Sequence, residues 1–115
     1  MKLSIAAISR ICHEANRALC ASFGDESQPP WSKAPKSSHH AMVDSIKAVI
    51  AGDVKTPAEL HQRWVDKKTA DGWVFGKHKN LIRKEHPLLV PYDQLKPQDQ
   101  AKDVLFLQIV QGLIS

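Results

Sequence analysis

No stretch of this chain is apolar for long enough to cross a membrane or to act as a secretory h-region. Residues 1–19 have an apolar flavour, but Arg10, His13, Glu14, Asn16 and Arg17 interrupt them. The expectation is a cytoplasmic protein with no membrane partner. Cysteine is scarce as well. Cys12 and Cys20 fall on one predicted helix, about 12 Å apart by helical rise, too far for a disulfide between them, and they read as buried thiols. No paired Cys or His spacing of a zinc site occurs. His13-Glu14 starts like a zincin helix, but Arg17 stands where the second histidine belongs. The five glycines form no phosphate-cradling loop, since Gly72 and Gly76 lack both the dinucleotide and the Walker spacing. Cys12 beside His13 is no nucleophile and base, because neighbours on a helix point about 100° apart. Neither an enzyme nor a resident cofactor or metal is expected. Strand signals are missing too: no period-two run reaches strand length, which leaves an all-α class.

What is present is a single domain of 115 residues with a net charge of +4, a mild excess that suits an anionic partner. Ile5, Ile8, Ile11 or Cys12, Ala15 and Leu19 recur at helical spacing, which predicts a helix over 3–22. The proline-rich run 25–36 reads as a connector holding Trp31. Ser37 or Ser38 is the expected cap of a second helix that Gly52 ends, with Met42, Ile46, Val49 and Ile50 on its apolar stripe. Thr56-Pro57-Ala58-Glu59 is a capping box with proline at the first helical position, so a third helix runs from 57 to about 70 and stops at Asp71-Gly72. Trp73-Val74-Phe75 is expected as an isolated extended piece, and 79–85 as one or two helical turns broken by His86-Pro87. A last helix over 97–113 carries Val104, Leu105, Leu107, Ile109, Val110 and Leu113. The expected architecture is four or five helices, with a long irregular loop between the last two main ones.

The basic run from Lys77 to Lys84 could meet phosphates, but nothing beside it resembles a recognition helix or a ribonucleoprotein aromatic motif. It reads as a solvated short helix, and nucleic acid is not the expected partner. The aromatics are more informative. Trp73, held between a turn glycine and Phe75, reads as a core anchor. Trp64 shares its helix with Arg63, Lys67 and Lys68, and an indole beside cations suits a base and its phosphates as well as it suits a core.

Three motifs in order carry a resemblance: His61-Gln62-Arg63-Trp64, Gly72-Trp73-Val74-Phe75-Gly76, and His86-Pro87-Leu88-Leu89-Val90-Pro91-Tyr92, followed by the apolar C-terminal helix. They resemble the RyR domain, the repeat of ryanodine receptor calcium channels, over about half the chain. That family's pattern runs roughly H-x-x-W, G-W-x-Y-G, H-P-x-L-V-P-Y. Phe75 departs from the usual tyrosine, and Lys77, His78 and Lys79 replace acidic residues, which weakens any calcium role. Residues 11–17 with Gln28-Pro29-Pro30-Trp31 are similar to the extension beside single RyR domains of bacterial and phage proteins.

The resemblance implies an N-terminal helical extension over 1–55 and a repeat core over 56–115, without catalysis. Prokaryotic relatives look like sensors of nucleotide-derived ligands, and a single copy lacks its tandem neighbour, so a homodimer is a possible substitute. The expected function is binding of a small nucleotide-like anion. Trp64 would stack on the base, Arg17, Arg63 and Lys67 would neutralise phosphate, and His61, Trp31 and Tyr92 would edge the pocket. The alternative is a protein-interaction module in which Lys77, Lys79 and Arg83 dock an acidic partner.

Overall fold

The computed structural model describes residues 3–114. Four helices make up most of it: α1 (Ile5–Ser22), α2 (Lys36–Ile50), α3 (Pro57–Ala70) and α4 (Pro97–Ile114). A two-stranded parallel sheet, β1 (Val74–Phe75) and β2 (Glu85–His86), lies in the connection between α3 and α4. The all-α class expected from the sequence is therefore the observed one. No helix among the described residues is long and apolar enough to cross a membrane.

Local chemistry explains the helix boundaries. Ser4 caps α1 by accepting the Ala7 N–H at 3.1 Å. The Thr56 hydroxyl accepts the Glu59 N–H at 3.2 Å, and the Glu59 carboxylate reaches back to the Lys55 N–H at 3.3 Å. With Pro57 at the first helical position, that end of α3 has one of its orphan donors satisfied by Thr56 and a second removed. The other end closes on Gly72 at φ +89°, with Trp73 N–H donating to Lys68 O at 2.9 Å and Gly72 N–H to Thr69 O at 3.0 Å.

Helix α2 departs from expectation. It starts at Lys36 directly behind Pro35, and no side chain caps it, so Ser37 and Ser38 lie inside its first turn. Pro35 supplies no side-chain acceptor; its pre-set extended backbone turns the chain into the helix, and its carbonyl takes the Ser38 and His39 N–H groups.

The core brings Ile8 and Cys12 of α1 together with Ile46, Ala48 and Val49 of α2, Val54, Leu60 of α3, and Leu107 and Val110 of α4. Cys12, and not Ile11, is the inward residue of its turn, and burial pushes its thiol up to about 11. Both cysteines are buried and free. The buried face of α4 is narrower than expected, for Val104 points to solvent.

The connection after α3 holds two further corrections. Val74–Phe75 is not isolated: it pairs in parallel with Glu85–His86, the Val74 N–H donating to Lys84 O at 2.9 Å. Residues 79–85 are not helical. Asn80 and Glu85 exchange two backbone hydrogen bonds at 2.9 and 3.0 Å, and the Asn80 side-chain oxygen takes the N–H groups of Ile82 and Arg83. An asparagine side chain that captures N–H groups two and three residues on competes directly with the helical ladder. Where β1 ends, Gly76 crosses Glu85 so closely that a Cβ there would sit 2.5 Å from the glutamate Cβ. The two glycines around Trp73 thus do different work, one by its backbone angle and one by its missing side chain.

Candidate functional site

Four helices converge on a cleft of about 450 Å³. Helix α1 contributes Cys12, His13 and Asn16, and α2 contributes Ser38, Ala41, Met42 and Ser45. Helix α3 contributes Leu60, His61, Arg63, Trp64 and Lys67, and α4 contributes Asp99, Lys102, Asp103, Leu105 and Phe106. Leu88 and Leu95 close it from the connection between α3 and α4. Of the residues expected from the sequence, His61, Arg63, Trp64 and Lys67 line this one space.

Trp31, Tyr92 and Arg17 do not line it. Trp31 stacks on His39 with ring centroids 3.7 Å apart, and its backbone N–H donates to the Glu14 carboxylate at 3.0 Å. That bond, seconded by Arg17, holds the Glu14 carboxyl below its usual range. Arg17 pairs with Glu14 at 2.9 Å, so its charge is engaged beside Trp31. Tyr92 donates its hydroxyl to Gln100 O at 3.3 Å and accepts from the Gln100 amide at 3.0 Å, which ties the end of the HPLLVPY segment to α4.

Trp64 is half-buried between two imidazoles. His61 lies one helical turn before it, rings 5.6 Å apart, and His86 meets it edge-on at 5.0 Å. His61 itself is buried and donates Nε2–H to Val90 O at 2.8 Å. The same device recurs twice, from His13 Nε2 to Pro29 O at 2.7 Å and from His39 Nε2 to Trp31 O at 2.8 Å. A carbonyl oxygen only accepts, so each imidazole carries its proton on Nε2. His86 is used in the opposite sense, its Nδ1 accepting the Leu88 N–H at 3.1 Å. Burial, then the charges of Lys79, Lys68 and Lys102, push its pKa down, consistent with an unprotonated acceptor nitrogen.

The charged lining was only half visible in the sequence. Arg63 and Lys67 both reach Asp44 Oδ2 from α3, Arg63 at 3.1 Å. Lys67 first, then Arg63, holds the Asp44 carboxyl below its usual range. The Arg63 Nε is buried without a hydrogen-bond partner among the described residues. On α4, Asp99, Lys102, Asp103 and Phe106 follow at three- and four-residue spacing, which puts them on one helix face. That periodicity was available in the sequence but was masked by the apolar run around it. Asp99 accepts from Lys102 at 3.2 Å. Burial pushes Asp103 from 3.8 up to about 6, against the pull of His61 and Lys102.

The shift has a testable sign. The unfolded chain releases this proton near 3.8 and the folded chain near 6, so the folded state holds it more tightly and stability falls as pH rises through that window. Asp103→Asn removes the charge. It is expected to raise the unfolding free energy by roughly 1–2 kcal/mol at about pH 7, a value discounted for the side chain's partial contact with solvent. The gain should vanish near about pH 4, and chemical denaturation of both proteins across that range reads it. A gain that persists undiminished in acid would assign the effect to packing.

Chemically the cleft offers one indole face, carboxylate acceptors on α4 and a cationic pair toward solvent. Cys12 is its one thiol among the described residues, and at a pKa of about 11 it supplies little thiolate. Among those residues no three His, Cys, Asp or Glu side chains gather to hold a metal ion. The family model described as the RyR domain matches residues 41–110, from within α2 to the last turns of α4. No curated protein matches the sequence.

Proposed function

For a chain that belongs to the RyR domain family, we propose a non-catalytic role: the cleft between the four helices binds a small nucleotide-derived anion. The observation that carries this reading is the convergence of Trp64, His61, Arg63 and Lys67 on one space of about 450 Å³. That volume falls in the range of roughly 300–1,000 Å³ typical of small-molecule sites. The part of the indole that lines the cleft takes the base by stacking. Asp103 and Asp99 accept from the base's exocyclic or ring N–H groups, and the phosphate lies at the Arg63–Lys67 end.

Asp44 holds those two cations in place before the ligand arrives. A phosphate would share them with Asp44 or displace it. The carboxylates on α4 argue against a ligand that is anionic throughout, since one placed against Asp99 would meet like charge.

Calorimetric titration with a panel of mono-, di- and cyclic nucleotides, with thermal shift alongside, tests the reading. Binding with a dissociation constant in the micromolar range or below, and a rise in Tm on saturation, is the expected outcome. Absence of both heat and thermal shift across the panel would end it.

A further inference from the structure

The turn at 81–84 presents apolar side chains to water in a way the fold does not require. Ile82 is 96% exposed and Leu81 71%, and on β1, which the Val74 N–H joins to Lys84 O, Phe75 is 59% and Val74 56% exposed. The turn is rigidly built. Asn80 closes it through two backbone bonds to Glu85 and through its side chain, Lys84 is held at φ +54°, and the Lys84 Nζ donates to Asp71 O at 2.8 Å. Around these apolar side chains, Lys77, Lys79 and Arg83 form no ion pair among the described residues, and 77–84 contains no acidic residue.

From this combination we infer that the 74–84 segment is a peripheral docking device for an anionic lipid surface. The shape and the charge both select that occupant. A stable protein complex takes roughly 800 Å² from each partner, and four side chains on one short connection fall well below that. An interfacial membrane contact needs less: a few apolar side chains that reach the acyl boundary, with cations held at the level of anionic headgroups. A second copy of the chain, related by a twofold axis through this segment, would set like charges against each other. No spanning helix is needed, so the contact is compatible with the absence of one among the described residues. It departs from the expectation of no membrane partner, which rested on span length alone. It is also independent of what the cleft binds.

Co-sedimentation of the intact chain with vesicles provides the test, using phosphatidylcholine alone and an equal mixture of phosphatidylcholine and phosphatidylserine. The wild type should bind the mixed vesicles and leave the neutral ones. The Leu81→Ser/Ile82→Ser double variant should lose about tenfold or more in partitioning, because it removes the inserted hydrocarbon. Lys77→Glu/Lys79→Glu/Arg83→Glu should abolish binding, and both variants should keep the wild-type Tm. Failure of the wild type to sediment with the mixed vesicles overturns the inference. So does binding that the serine pair leaves unchanged, which would reduce the contact to charge adhesion and return the apolar crest to a protein partner.

Discussion

Trp73→Ala should lower the unfolding free energy by about 3–5 kcal/mol, the range for emptying a tryptophan site in a packed interior. Against a total of about 5–15 kcal/mol for a domain, that is enough to leave much of the chain unfolded at moderate temperature. Trp73 is 8% exposed, the Lys68 ammonium lies 4.7 Å from its ring centroid, and the edge of His86 meets it at 6.2 Å. Its backbone N–H ends α3 on Lys68 O, which sets the buried side chain between the exit of the helix and the start of β1. Urea denaturation followed by circular dichroism measures the loss. The adjacent Val74→Ala supplies the contrast, since an exposed position away from special features should move stability by no more than about 0.5 kcal/mol. If the two variants lose equal stability, Trp73 is not the anchor.

Trp64→Ala separates the second tryptophan from the first. Stacking on an aromatic face is worth on the order of 1–3 kcal/mol per base, so removing the indole should weaken nucleotide binding by roughly 5- to 150-fold. The comparison needs the variant folded, and Trp64 is only half-buried and lines the cleft, so its Tm loss should be smaller than that of Trp73→Ala. Trp64→Phe keeps a ring and should recover part of the affinity. An alanine variant that binds as tightly as the wild type while remaining folded would remove Trp64 from the site and with it the stacking mode.

The contrast between these tryptophans shows which parts of the molecule could be read from the residues. Features written within one helical turn were legible: the Thr56-Pro57-Glu59 start, the stop at Gly72, and Trp73 as an anchor behind it. So was the placing of Trp64, His61, Arg63 and Lys67 along one helix. What the sequence did not reveal lies in pairings that spacing cannot report. Asp44 is 19 residues from Arg63 and 23 from Lys67, and only the packing of both α2 and α3 against α4 brings them together. Arg17 and Trp31 were assigned to the pocket by charge and aromaticity, whereas Glu14 and His39 engage them beside it, with the Trp31 ring 5.3 Å from His13 of the lining. The 79–85 segment misled for a different reason. Its composition permits a helical turn, but one side-chain oxygen on Asn80 outcompetes the ladder.

The histidine bonds to Pro29, Trp31 and Val90 join positions 16, 8 and 29 residues apart. Each ties a carbonyl outside the four helices to a helical imidazole, and so fastens in the folded state the kind of segment that cystine cross-links fasten in small extracellular domains, though without a covalent link's restriction of the unfolded chain. Unlike cystine, an imidazole tether is indifferent to thiol reductants and reforms each time the chain refolds, with no oxidant or isomerase. The connections of this molecule are fastened by a chemistry that works equally well in reducing and oxidising surroundings.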